Sequence, residues 1–129
     1  MLEEERERWV LVAPNHAWGT PELLATIRSA VGRVATEFPA DRPLRIGDLS
    51  RQGGGWLRPH RSHQNGRDAD LGFYYLRSQP WYRPATADNL DAARTWSLLE
   101  GLLSQGDVQW VLMDRGVQRL LQSYARRSD

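Results

Sequence analysis

The order of apolar patterns along the 129 residues permits an α+β fold, because stretches with helical spacing alternate with short β-favouring runs. A chain of this length buries a single core rather than two, so one site on one domain is expected. Trp9 to Val12 is a short β-favouring run stopped by Pro14. Thr20, Pro21 and Glu22 then supply an N-cap, a first-turn proline and a first-turn acid, and Leu24, Ile27, Val31, Val34 and Phe38 recur at helical spacing until Pro39. Leu44 to Leu49 reads as a second strand. Arg51 to Gly66 follows as a loop rich in Gly, Arg and His, without a hydrophobic period.

Beyond the loop, Ala69, Leu71, Phe73 and Tyr75 alternate with Asp68, Asp70, Gly72 and Tyr74, the period of a strand with unlike faces. Asp88 is placed to cap a helix lined by Ala92, Trp96, Leu99 and Leu103 and ended by Gly106. Val108 to Met113 is apolar on both faces and reads as a buried strand. Val117, Leu120, Leu121 and Tyr124 mark a last amphipathic helix. Repeats and low-complexity tracts are lacking.

Composition excludes several functions. The net charge is +1, too small to imply a nucleic-acid or membrane partner. All 17 basic residues are arginine, a usage that serves bidentate anion recognition in some proteins and more often reflects codon bias in a GC-rich genome. With no cysteine, a disulfide framework and a thiolate metal site are both impossible, so any metal must sit on His, Asp or Glu. The opening MLEEERERW lacks the basic-then-apolar pattern of a signal peptide, and no run approaches the roughly 20 apolar residues of a membrane span. As written, nothing exports the chain.

The chemistry concentrates in HRSHQNGRDADLGFYY, residues 60–75, where two histidines leave the loop and two aspartates open the strand. Histidine and carboxylate are the ligands zinc accepts in the absence of cysteine. Gly66 lies between His63 and Asp70, so a turn can return the imidazole over the strand face from which Asp70 projects, and Gly72 leaves room on that face. On spacing alone, a surface hydrogen-bonded pair is the commoner arrangement.

The segments APNHAWGTPE, SHQNGRDADLGFYY, TADNLDAARTWSLLEGLL and DVQWVLMDRGVQRLLQSYA, in that order, resemble the penicillin-insensitive murein endopeptidases. These belong to the wider lysostaphin, D-Ala-D-Ala peptidase and sonic hedgehog-type group of metallopeptidases. The resemblance implies a small, mostly antiparallel sheet with helices against it, incomplete at the C-terminus. It implies zinc-dependent hydrolysis of the D-alanyl-meso-diaminopimelyl cross-link in the periplasm or cell envelope, with zinc held by His63 and Asp70. A further ligand in the family comes from a downstream His-x-His motif. Here the remaining histidines, His16 and His60, both lie upstream, so this chain is expected to be a fragment inactive by itself.

By the same resemblance His60 falls on a position at the metal site and is assigned to catalysis, tuning the metal or touching substrate. Arg58 and Arg67 flank the loop as candidates to grip stem-peptide carboxylates, and Tyr74 is assigned to the substrate cleft wall. His16 and Asp68 are assigned to structure. Two rivals stand beside the peptidase: a non-catalytic cell-wall binding module on the same scaffold, and a nucleic-acid platform of arginines and aromatics. Asp68 and Asp70 at the loop's end oppose the second.

Overall fold

The computed structural model describes residues 1–5, 8–39, 42–49, 68–77, 83–106, 108 and 111–128. Strand β1 (Trp9–Leu11) leads through a 3-10 turn, Pro14–His16, into helix α1 (Pro21–Glu37). Strand β2 (Leu44–Ile46), helix α2 (Ala92–Leu103) and helix α3 (Arg115–Ser128) follow. Helix α1 starts as its sequence dictates: the Thr20 hydroxyl accepts the Leu23 N–H at 3.2 Å and Pro21 takes the first turn.

The sheet corrects one expectation. Strands β1 and β2 pair in parallel, with Trp9 opposite Leu44 and Leu11 opposite Ile46, rather than antiparallel. The reason is connectivity, since two strands joined through a helix return in the same direction as a βαβ unit. Antiparallel pairing among the described residues is confined to isolated bridges, Glu5 with Trp9, Ile46 with Leu71 and Tyr75 with Leu90. The expected strand over residues 69–75 is therefore an extended segment that meets β2 through the Ile46–Leu71 bridge and reaches Leu90 through Tyr75.

Leu24, Ile27, Ala30, Val31 and Val34 of α1 form the main core with Trp9, Leu44 and Ile46. Leu2 and Leu49 are also fully buried there. Burial of each large aliphatic side chain contributes about 1.5–3 kcal/mol. The Trp9 indole N–H donates to the Glu3 carbonyl at 2.8 Å, so the one polar atom of this buried ring is satisfied. A second cluster joins Leu90, Val117 and Leu121, with Phe73, Trp96, Leu99 and Met113 packed around them.

Three further expectations give way. Helix α2 is capped by Asp91, which accepts the Arg94 N–H at 3.2 Å, while Asp88 sits in the preceding turn. Val111 and Leu112 form no strand and are exposed, Leu112 at 89 %, so the expected buried strand is not found at these positions, while residues 109 and 110 of that run lie outside the described residues. Leu103 is also exposed, whereas Ala92, Trp96 and Leu99 of the expected face pack against the second cluster and Thr95, Leu98 and Gly101 are buried beside them.

Gly101 sets the approach of α1 and α2, because a Cβ there would lie 3.1 Å from the Ala30 Cα. The neighbour is backbone and cannot swing aside. Gly101→Val is therefore expected to lower stability by about 1–3 kcal/mol through overpacking. Urea denaturation at equilibrium reads this, and an unchanged midpoint would remove the close approach as a constraint.

Candidate active site

Asp70 is placed by its backbone. Its N–H donates to the Asp48 carbonyl at 2.9 Å and its own carbonyl accepts the Gly47 N–H at 2.7 Å. Two residues on, the Gly72 N–H donates to the Arg45 carbonyl at 2.7 Å. Residues 70–72 thus run antiparallel along β2 and its continuation, on the edge opposite β1. Ala69 and Leu71 pack against the main core, so strand alternation turns Asp70 and Gly72 to the other face. Asp70 is half-buried and takes part in polar interactions.

Asp48 is itself anchored. His16 Nδ1 and Asp48 Oδ1 are hydrogen-bonded at 3.1 Å, and the Leu49 N–H donates to the His16 carbonyl at 2.8 Å. The turn before α1 therefore grips the peptides that in turn hold Asp70. This role of His16 was not legible in the sequence, where 32 positions separate it from Asp48.

Gly72 lines an open groove together with Leu71, Phe73, Tyr75, Arg83 and Asp114. The Tyr75 hydroxyl donates to the Arg83 carbonyl at 2.7 Å across it. Asp114 also caps α3, its Oδ2 accepting the Gly116 N–H at 2.8 Å. Asp70 is not among the lining residues.

Tyr74 corrects the cleft-wall assignment. It is 4 % exposed and belongs to the main core, with its N–H donating to Thr95 Oγ1 at 3.2 Å. A side chain with so little surface packs and does not contact substrate. Asp68 is exposed. His60, His63, Arg58 and Arg67 lie outside the described residues.

The sequence pattern of the penicillin-insensitive murein endopeptidases matches residues 2–129, nearly the whole chain. The chain belongs to that family. Murein endopeptidases are hydrolases of peptidoglycan, so the family sets the substrate class. A search of curated proteins gives no match. Among the described residues no helix is long and apolar enough to cross a membrane.

For this murein endopeptidase the zinc implied by resemblance must be tested against the residues themselves. Among the described residues no three His, Asp or Glu side chains gather as a metal set. Asp70 alone of the implied ligands is described, and a carboxylate on a segment fixed by backbone bonds suits zinc as one ligand.

Burial raises the pKa of both phenols above the ordinary 10.0. At Tyr74 burial dominates, with nearby Arg94 opposing and Asp91 reinforcing it. A raised folded-state pKa in an acid means that the neutral form is the one folding favours. The contribution is complete below pH 10 and is lost as pH rises through the folded-state values. Stability should therefore fall above pH about 10, and Tyr74→Phe should flatten that fall. Chemical denaturation at pH 8 to 11 measures it, and identical slopes in the two proteins would contradict the burial of a protonated phenol.

Proposed function

We propose that this chain carries the scaffold and metal-binding residues of a zinc-dependent peptidoglycan endopeptidase of the cell envelope that cleaves the D-alanyl-meso-diaminopimelyl cross-link. The observation that carries the reading is the setting of Asp70: the residue that the family resemblance makes a zinc ligand lies on a segment whose backbone is clamped to β2 on one edge. A carboxylate so held loses little freedom when it binds a cation, which is what a preorganised ligand requires. In this reading His63 is the second ligand, and His60 is the group that tunes the site or touches substrate. Arg58 and Arg67 supply guanidinium groups for stem-peptide carboxylates.

Zinc, when bound, supplies Lewis-acid polarisation of the scissile carbonyl and activation of water near neutral pH. The chain's own contribution is to hold and orient. Gly72, next to Asp70 on the same face, keeps that face free of a side chain and opens onto the groove, where an extended peptide finds room.

Two protein ligands hold a metal loosely compared with the three of an ordinary catalytic site. Zinc binding by the 129-residue chain is therefore expected to be weak by calorimetry, with little hydrolysis of cross-linked muropeptides. Tight one-to-one zinc with robust cleavage would make His60 or His16 the third ligand. In a protein that also carries the His-x-His segment, His63→Ala and Asp70→Ala should each cost more than about 100-fold in cleavage, since even outer partners of a ligand cost 10–100-fold. The unfolding temperature of His63→Ala should stay near wild type, because a loop ligand contributes more to chemistry than to packing. Wild-type turnover in either variant would overturn the ligand assignment.

A further inference from the structure

Three arginines from separate parts of the chain line one small cavity. Arg8 comes from just before β1, Arg42 from just before β2 and Arg94 from α2, with Tyr74 and Phe38 between them. The cavity encloses about 10 Å³, room for one occupant the size of a water molecule or a halide ion.

Two features mark it as more than a packing defect. The first is Tyr74, which is 4 % exposed and lines the cavity. Its backbone N–H and carbonyl are both bonded, to Thr95 and Asp91, but its phenolic oxygen has no hydrogen-bond partner among the described residues. Buried hydroxyls in native proteins nearly always have a partner, ordered water and ions included. The second is charge. Among the described residues the ion-pair partners of the three arginines are Glu5, 3.9 Å from Arg8, and Asp91, 2.5 Å from Arg94. Among the described residues, three positive groups thus stand against two negative ones. Arg42 Nη1 also donates to the carbonyls of Tyr75 and Leu76, and Arg94 lies over the Phe38 ring at 5.4 Å. These contacts fix the two guanidinium groups while leaving donors over from the five that each carries.

A simpler role for the arginines exists, because the cavity borders the C-terminal end of α1, which has no basic residue in its last turn. Neutralising that helix end accounts for the charges but gives the phenol nothing to bond. We propose that the cavity is a binding site for a small inorganic anion of halide size, accepting a hydrogen bond from the Tyr74 hydroxyl and held by the charges of Arg42 and Arg94. The site is independent of the peptidase reading.

The test is thermal unfolding of the 129-residue chain titrated with sodium chloride at constant ionic strength, with sodium gluconate as the balancing salt. A saturable rise in Tm with chloride is expected, accompanied by chloride-35 line broadening that bromide competes away. Tyr74→Phe keeps the ring and removes the donor, and should abolish the saturable response. Arg42→Gln, at an exposed residue, should raise the apparent Kd at least several-fold. A wild-type Tm that is the same in both salts would overturn the proposal, leaving water in the cavity and the arginines serving α1. A full chloride response in Tyr74→Phe would overturn it equally. Should that variant not fold, an unchanged response in Arg42→Gln decides against the site.

Discussion

Strand β2 is hydrogen-bonded along both edges at once, and the rest of the molecule hangs on that. Successive residues of a strand present their peptide groups to opposite sides. Leu44 N–H and the Ile46 carbonyl bond toward the β1 side, to Arg8 and Val12, while the Arg45 carbonyl and the Gly47 N–H bond toward residues 70–72. Three residues thereby join the N-terminal strand to the segment of Asp70. The side chains of Leu44 and Ile46 are fully buried under α1. An unmade backbone bond in that setting would leave a polar group away from water, at a cost of about 1–3 kcal/mol. The double pairing is thus enforced by burial.

This arrangement couples the core to the site through the backbone. Asp70 is held through its peptide groups, so its position follows β2, and β2 follows the packing of Leu24, Ile27 and Val31 above it. The His16 to Asp48 bond adds a second tie from the turn that precedes the same helix. Both ends of β2 are therefore referenced to α1.

Much of this was legible in the sequence, and the parts that were not have identifiable causes. Helix α1 could be read because its cap, proline and apolar stripe agree with one another. The parallel pairing was also encoded, in the strand, helix, strand order of residues 9–46, but the expectation of antiparallel strands came from resemblance rather than from that order. Val111 and Leu112 misled because apolarity signals burial only where another element covers it. Tyr74 misled because alternation was extended through the whole of residues 69–75. Leu71 packs on the main core and Phe73 on the second cluster, yet Tyr74 returns to the main core. The phase of a short extended segment is set by what surrounds it. His63 and His60, on which the chemical reading rests, stand out in the sequence as loop histidines before two aspartates, take their site roles from resemblance, and lie outside the described residues.

That change of phase has a structural meaning. Residues 70–72 belong to the sheet through their backbone, whereas Phe73, Tyr74 and Tyr75 are divided between two clusters and a bridge to Leu90. Leu90 in turn packs with Val117 and Leu121 of α3. The same short segment therefore carries the site aspartate at one end and stitches the α2–α3 pair to the main core at the other. The Thr95 hydroxyl accepting the Tyr74 N–H and the Tyr74 carbonyl accepting the Asp91 N–H secure that end to the start of α2. With one end clamped to β2 and the other to α2, the segment has little freedom to shift along either. Asp70 thus takes its place from two bodies of packing.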